Sequence, residues 1–245
     1  MLTTPAPHLS WRPSGRLLEP AVLDGRTVRL EPLDPARHGE HLYASSHGPG
    51  PDGAPADGSL WTYMSYGPFA DAAAMRAWLE VAAASRDPLF FAVIDGASGR
   101  AAGMASYLRY DPTNGVIEIG HIWFAPAVQR SRAASEAIFL LQRHAFEVLG
   151  VRRLEWKCDA ANVASRRAAL RYGFTYEGIF RQHMVIKGRN RDTAWYALLD
   201  GEWPAVRENF ARWLAPENFD AAGRQKVALS TLMDAWRRTL PGQGT

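Results

Sequence analysis

Three strand-like segments follow one another in the middle of the chain with only short turns between them. They read LFFAVID at 89–95, AAGMASYLRY at 101–110 and GVIEIGHIWF at 115–124. The links Gly-Ala-Ser-Gly and Asp-Pro-Thr-Asn-Gly carry the residue types that tight hairpins need. Consecutive strands joined in this way pair antiparallel, so the sequence predicts an antiparallel meander at the centre of the fold.

After the meander the pattern changes to that of a long amphipathic helix. Between residues 132 and 149 apolar side chains recur at steps of three and four, and Gly150 supplies a stop. Segment 153–158 then alternates charged and apolar residues, which predicts a strand. Its buried face is expected to carry Leu154, Trp156 and Cys158.

The C-terminal third completes the pattern. A helix is predicted at 163–172, followed by strands at 174–186 and 192–199 around a KGRNR turn. A last helix is predicted to bury Trp203, Val206, Phe210 and Trp213, and a helical tail follows. The order of elements predicts a mixed α/β fold with a mostly antiparallel twisted sheet flanked by helices.

The N-terminal part has weaker periodicity. Residues 1–20 are expected to form an extended or mobile arm. Apolar and polar residues alternate at 27–30, which predicts a first strand. Asp34 is placed to cap a short helix that runs through Leu42. The Gly- and Pro-rich segment 46–59 is a loop, and loops of this length are often functional. The aromatic run after it either lines a cleft or belongs to the core: Trp61, Tyr63, Tyr66 and Phe69.

Composition excludes several protein classes. The chain has 245 residues, 47% of them hydrophobic, which suits one large domain. No apolar run approaches the ~18 to 20 residues of a membrane span, so no membrane partner is predicted. The one cysteine, Cys158, excludes an internal disulfide and a cysteine zinc site and favours a reducing compartment, the cytoplasm.

Charge and histidine spacing exclude two further classes. The net charge of +3 comes from 28 basic and 25 acidic residues spread along the chain, so no nucleic-acid partner is predicted. His38 and His41 are spaced as a metal pair, but no third ligand has a suitable spacing. We therefore expect both histidines at the surface and no metal site.

The junction between strand 115–124 and the long helix is a candidate anion site. A strand that turns into a long helix presents free backbone N–H groups and the positive end of the helix dipole. Arg130 and Arg132 lie in this turn and could add charge-assisted hydrogen bonds. Phosphate groups suit such a turn.

Two motifs in this part of the chain belong together. Segment 129–134, at the start of the long helix, reads QRSRAA, and Asn162-x-x-Ser165 is followed by a Gly-Phe stop at 173–174. Together they resemble the GNAT superfamily of acyl-CoA-dependent N-acetyltransferases, particularly its ribosomal-protein N-terminal acetyltransferase branch. That family opens its central helix with the diphosphate-binding signature Q/R-x-x-G-x-G/A, and Arg132 stands in place of its first glycine.

The resemblance covers about residues 25–200, which we take as the GNAT domain, with an N-terminal extension at 1–24 and a C-terminal helical extension at 201–245. It implies that two neighbouring parallel strands, 115–124 and 153–158, splay apart and admit acetyl-CoA. Backbone groups of Ile122 and Phe124 are the implied pantetheine contacts. The full set of implied acetyl-CoA contacts is Ile122, Trp123, Phe124, Gln129, Arg130, Ser131, Arg132, Ala133, Ala134, Ser135, Asn162, Ser165 and Arg171.

The resemblance also implies proton-transfer groups. Glu118 stands where several members carry a catalytic glutamate, and the alternative is a carboxylate that merely pairs with an arginine. Strict alternation puts His121 on the opposite strand face, so the two are not expected to share a pocket. Ser165 occupies the place of the branch's serine acid, or only binds the cosubstrate. The tyrosine that many members use instead is Ala169 here.

The implied reaction moves an acetyl group from acetyl-CoA to a primary amine, either a protein N-terminus or a small molecule. Direct transfer is expected, because Cys158 lies on a strand face without an activating base. The alternative is a non-catalytic acyl-CoA-binding or regulatory module, which the departures at Arg132 and Ala169 leave open. Tryptophans late in the chain allow a homodimer surface.

Overall fold

The computed structural model describes residues 10–50, 53 and 56–240. Its strands are β1 (Leu23–Asp24), β2 (Val28–Pro32), β3 (Leu89–Asp95), β4 (Ala101–Asp111), β5 (Val116–Phe124), β6 (Arg153–Asp159), β7 (Thr175–Ile186) and β8 (Arg189–Leu199). Its α-helices are α1 (Pro35–His47), α2 (Ala72–Ala84), α3 (Arg132–Arg143), α4 (Val163–Arg171), α5 (Trp203–Leu214) and α6 (Leu229–Arg237). Short 3-10 turns occupy Ser59–Trp61 and Pro216–Asn218.

The described strands form one sheet in the order β1-β2-β3-β4-β5-β6-β8-β7. Neighbouring strands are antiparallel except β5 and β6, which run parallel. Strands β3, β4 and β5 form the predicted meander. The predicted mixed α/β fold, with a mostly antiparallel sheet, is confirmed.

Alternate strand positions supply two cores on opposite faces of the sheet. On one face, Ile117 and Ile119 of β5 pack in a cluster with α3 and α5. On the other, Phe90 and Ala92 of β3 pack with α1 and α2. Each buried aliphatic or aromatic side chain contributes about 1.5–3 kcal/mol relative to exposure, which fixes β5 rigidly between the two layers.

The long helix begins at Arg132, as its periodicity predicts. The Ser131 side chain caps it by accepting from the Ala134 N–H. Beyond Arg143 the chain continues as a π-helical turn at His144–Val148 and stops at Gly150, whose φ of 66° is the left-handed conformation expected of a helix-ending glycine.

The first helix is longer than predicted, and one of its histidines is placed differently. Asp34 caps α1 as expected, but the helix continues past Leu42 because that side chain is fully buried in the second core. The prediction that His38 is at the surface is wrong. His38 is buried, with its Nε2 3.2 Å from a carboxylate oxygen of the buried Glu31.

The β7–β8 connection is tighter than the predicted KGRNR turn. Lys187 and Gly188 alone stand outside the strands, with φ values of 49° and 73°. Both residues are left-handed, as in a two-residue type I′ hairpin turn. Arg189, Asn190 and Arg191 therefore belong to β8, and the hairpin extends further from the sheet than the sequence indicates.

Both ends of the chain pack on the domain where they are described. The extended N-terminal arm is fixed to the end of the α3 segment by Trp11, whose Nε1 donates to the Gly150 carbonyl at 3.0 Å. Helix α5 buries its predicted apolar face: Trp203, Val206, Phe210 and Trp213. Residues 1–9 of the predicted arm, and 51, 52, 54 and 55 of the predicted loop, lie outside the described residues.

The described residues include neither a candidate membrane span nor a candidate metal cluster. No helix there is long and apolar enough to cross a membrane. No group of three or more His, Cys, Asp or Glu side chains in this part of the chain could hold a metal ion.

Candidate active site

Strands β5 and β6 pair over only part of their length and then separate. Their parallel pairing runs from Val116 opposite Arg153 to Ile119 opposite Trp156. Beyond Ile119, β5 continues for five residues that pair with β4 on its other edge. The β6 edge of this stretch therefore carries backbone N–H and C=O groups that an extended ligand could pair with, as an added strand would.

A β-bulge lies in this free stretch. Gly120 is opposite Ser106, and Trp123 is opposite Met104, so β5 has one more residue than β4 between the two pairs. His121 takes up the extra residue with a φ of 52°, an unusual conformation for a side-chain-bearing residue. The bulge turns Trp123 onto the α1/α2 face, where its ring lies 5.4 Å from that of Trp61.

The bulge also overturns the prediction that Glu118 and His121 cannot share a pocket. The His121 ring packs 5.1 Å from Phe90, which belongs to the same core face as Trp123. Residues paired across neighbouring strands point to the same face of a sheet. Phe90, Ser106 and Gly120 form such a row, and Glu118, two residues before Gly120, shares their face. Both side chains therefore lie on one side of the sheet. Alternation fails because the bulge adds one residue to the strand.

Glu118 is buried and held by two cations. Its Oε2 accepts from Arg109 Nη1 at 2.7 Å and from Lys157 Nζ at 2.9 Å. Lys157 also contacts Glu155 at 2.7 Å and lies 3.9 Å from the centre of the Trp195 ring. Both cations contact Oε2, and no described residue donates to Oε1. The carboxylate is thus oriented, with one oxygen left for a water or a ligand.

His121 is uncharged at neutral pH. Burial lowers its pKa to about 4, and the neighbouring Arg109 and Arg191 contribute to the decrease. The ring also stacks on Tyr66, with centroids 5.7 Å apart. A neutral imidazole with aromatic neighbours shapes the cleft without adding charge to it.

The turn before α3 is ordered by its own side chains. Gln129 Nε2 donates to the Phe124 carbonyl at 2.9 Å, and Arg130 adopts a left-handed φ of 58°. Ser131 satisfies the Ala134 N–H. The earlier N–H groups of the first turn have no acceptor within the helix, as at any helix start, and they are the groups that the predicted anion site would use.

Arg132 replaces the first signature glycine without strain. It is the first residue of α3 and has no positive φ, so a side chain is accommodated. Its guanidinium lies 3.7 Å from the centre of the Phe219 ring, a residue that follows α5. The C-terminal segment therefore fixes this arginine beside the anion site.

Ser135 and Arg171 form a support beneath the turn. The Ser135 hydroxyl donates to the Ser131 carbonyl at 3.1 Å and accepts from Arg171 Nη1 at 2.8 Å. Ala133, Ala134 and Ser135 are all buried. Their side chains hold the helix in place, so any contact they make with a phosphate would be through the backbone.

Ser165 lies where β5 and β6 part. Asn162 caps α4 by accepting from the Ser165 N–H, and the Ser165 hydroxyl accepts from the Trp156 indole at 3.0 Å. Trp156 is the last β6 residue paired with β5. Ala169, at the position of the tyrosine in other members, is fully buried and has no group that could transfer a proton. Burial raises the pKa of the Cys158 thiol, so this cysteine is not an alternative nucleophile.

Comparison with known proteins agrees with this geometry. Residues 56–175 match the acetyltransferase (GNAT) domain family. A GCN5-related N-acetyltransferase from Brucella melitensis is 51% identical, with a TM-score of 0.86 over 92% of this chain and 99% of that chain. The chain belongs to the GNAT acetyltransferase family. A second GNAT-family structure, from Chromobacterium violaceum, is 43% identical, with a TM-score of 0.73 over 84% of this GNAT chain and 99% of the other.

Curated relatives support the resemblance to the ribosomal-protein branch of the GNAT family. The ribosomal-protein-serine acetyltransferase of Escherichia coli is 33% identical over 95 residues, which is 39% of this chain and 52% of that relative. The chain spans about half the length of the curated relatives it matches.

Sequence reasoning missed how the β7–β8 hairpin meets this GNAT site. Lys187 at the hairpin tip donates to the carbonyls of Trp61 and Tyr66 at 2.9 and 3.2 Å. Most of the predicted aromatic run belongs to the second core: Trp61 is buried in it, and Tyr66 and Phe69 pack against it. Tyr66 also stacks on His121. The Lys-Gly turn was the available signal for the tip, but nothing in the sequence indicates its partners.

Proposed function

We propose that this GNAT domain transfers an acetyl group from acetyl-CoA directly to a primary amine, either a protein N-terminus or a small-molecule amine. The observation that carries the proposal is the parting of β5 from β6 after Ile119, with Ser165 at the point of separation. A free strand edge, a capped helix start and a hydroxyl meet there. These are the groups that an extended thioester with a diphosphate requires.

The cosubstrate would bind along the free edge of β5. Pantetheine amides would pair with backbone groups of Ile122 and Phe124, and the diphosphate would accept from the N–H groups at the start of α3. The Phe124 carbonyl already accepts from Gln129, but a carbonyl has two lone pairs and can accept again. Arg130 is exposed in the turn and is free to contact phosphate.

Ser165 would protonate the departing thiolate. Trp156 donates to the serine oxygen, and the hydroxyl proton is shared with the Cys158 sulfur, a weak acceptor that a departing thiolate could replace. A thiol has a reference pKa near ~8.5, so a weak, well-placed acid is sufficient. The reaction needs no acyl-enzyme, because the one cysteine is buried with a raised pKa.

Glu118 would take the proton of the amine through its Oε1, directly or through a water. Arg109 and Lys157 orient the carboxylate, and their positive charge favours the neutral, nucleophilic form of an amine that binds beside them. We include a cytoplasmic location in the proposal, which a buried free thiol suits, and no metal.

The same ion pairs favour a second candidate, a non-catalytic acyl-CoA-binding module. Glu118 joins Arg109 of β4 to Lys157 of β6, a structural role that requires no proton transfer. In such a module acetyl-CoA would bind at the same site, but no amine would be acetylated.

Calorimetry with acetyl-CoA and a CoA-release assay with a broad amine and peptide panel test the proposal. We expect saturable acetyl-CoA binding and amine-dependent CoA release. Binding without release across the panel would support the module instead, and no binding at millimolar acetyl-CoA would refute both.

Two variants test whether Glu118 is the general base: Glu118→Gln, and Glu155→Gln as its control. The two residues are register partners on β5 and β6, and both contact Lys157. We expect Glu118→Gln to reduce kcat by about 10²-fold, a typical contribution of a general base, while Glu155→Gln retains most activity. Equal kcat values in the two variants would remove Glu118 as the base.

A further inference from the structure

An arginine at the open end of the cleft makes no hydrogen bond or ion pair with any described residue. Arg191 is on β8 opposite Met184 of β7. It lies two residues beyond Thr193, which pairs with the last residue of β6. Its guanidinium is close enough to His121 and to Cys158 to affect the pKa of both. Arg191 therefore lies on β8 past the end of β6, next to the opening where β5 and β6 have separated.

This arginine is partly buried and has no carboxylate partner among the described residues. Its Nε is fully buried and has no acceptor. The acidic side chains of β5 and β6 are engaged elsewhere: Glu118 by Arg109 and Lys157, Glu155 by Lys157, and Asp159 by the Ala161 N–H. A buried donor without an acceptor is costly, which indicates that a ligand completes the site.

The hairpin that carries Arg191 packs against the aromatic segment beside His121. Lys187 at the hairpin tip, four residues before Arg191, donates to the Trp61 and Tyr66 carbonyls. The Tyr66 ring in turn stacks on His121. These contacts bring the strand of Arg191 to the side of the sheet that carries His121.

We propose that Arg191 binds a carboxylate of the acceptor, so that the preferred acceptors are amines that carry an acidic group. The planar guanidinium can donate two parallel hydrogen bonds to a carboxylate. A carboxylate bound there would satisfy the buried Nε. This inference rests on the proposed acetyl transfer and names the acceptor class for it.

Matched acceptors test the proposal without changing the protein. The pairs are peptides that begin with Asp or Asn, and with Glu or Gln, all with amidated C-termini. CoA release is measured at saturating acetyl-CoA. We expect the acidic member of at least one pair to have a kcat/KM about ten- to hundredfold higher, the range of a charge-assisted hydrogen bond.

Variants of two arginines on β8 assign the effect to one site. Arg191→Gln is expected to abolish the preference for the acidic member, and Arg191→Lys to keep part of it. Arg189→Gln removes the same charge from an exposed position two residues away and is expected to keep the preference. Acetyl-CoA affinity and the thermal midpoint of Arg191→Gln should match those of the wild type, because the side chain has no partner to lose.

Three outcomes would overturn the inference. Equal kcat/KM within both pairs, with acetylation observed, would refute the carboxylate site and leave the proposed function standing. A preference that survives Arg191→Gln, or is lost equally in Arg189→Gln, would refute the assignment to Arg191. No acetylation of any acceptor, despite acetyl-CoA binding, would refute the proposed function and this inference with it.

Discussion

Replacing Phe219 tests whether the C-terminal segment contributes to acetyl-CoA binding. The Arg132 guanidinium lies 3.7 Å from the centre of the Phe219 ring, and Arg132 is at the start of α3, where the diphosphate is proposed to bind. Phe219 in turn packs edge-on against Trp213 of α5, with centroids 5.5 Å apart. The aromatic pair fixes the arginine next to the helix start.

The size of the effect follows from the contact. A cation–π interaction contributes about 0.5–2 kcal/mol, depending on how far the cation is desolvated. Arg132 is partly buried, so its orientation depends on this ring. If the whole interaction serves to orient Arg132 toward phosphate, Phe219→Ala weakens acetyl-CoA binding by about two- to thirtyfold. Phe219→Leu keeps apolar bulk but removes the π face, so it should show most of the loss.

Isothermal titration calorimetry on a double-mutant cycle provides the assay. Kd for acetyl-CoA is measured for the wild type, Phe219→Ala, Arg132→Ala and the double variant. We expect Phe219→Ala to have little further effect once Arg132 is replaced, because the ring acts through the arginine. Fully additive effects, or an Arg132→Ala variant that binds like the wild type, would refute it.

Three further predictions concern the cleft. Ser165→Ala should lower kcat by about 10²-fold at unchanged acetyl-CoA Kd, whereas Ser98→Ala in a distant turn should have no effect; equal rates would exclude Ser165 as the acid. Lys187→Met removes two hydrogen bonds to the aromatic segment. It should raise the acceptor KM about five- to tenfold without changing acetyl-CoA affinity. A change in acetyl-CoA affinity instead would contradict the placement of the hairpin on the acceptor side. His121→Phe should remove part of the acid sensitivity of folding. Because the folded-state pKa of His121, about 4, lies below its unfolded value, its contribution is present above about pH 6.5 and is lost toward pH 4, by up to about 3 kcal/mol; urea unfolding that shows the same loss in both proteins would contradict this.

Local patterns predicted the elements that carry the site. The spacing between 132 and 149 predicted the start of α3 and the stop at Gly150, although not the π-helical turn that follows Arg143, and the Asn162-x-x-Ser165 motif predicted the cap of α4. These features depend on residues within a few positions of one another. Helix caps and hairpin turns are decided at that range, so a sequence shows them directly.

The parts that sequence reasoning missed depend on distant residues. The β5 bulge arises from the register of β4 against β5, and the alternation of side chains along a strand cannot reveal an inserted residue. Gly120 beside His121 was the one local sign, because a glycine inside a strand often marks a bulge. The pairing of Glu118 with Lys157 joins residues 39 positions apart. The burial of His38 depends on Glu31 from the neighbouring strand. Such contacts exist only once the sheet is assembled.

Mass spectrometry of a complete reaction tests direct acetyl transfer most plainly. The protein is incubated with acetyl-CoA and an acceptor that gives CoA release, and both the acceptor and the intact protein are weighed. Direct transfer predicts one acetyl group on the amine and an unmodified protein at every time point. Acetyl-protein that forms before the product, or acetyl-CoA hydrolysis with an unmodified acceptor, would contradict it.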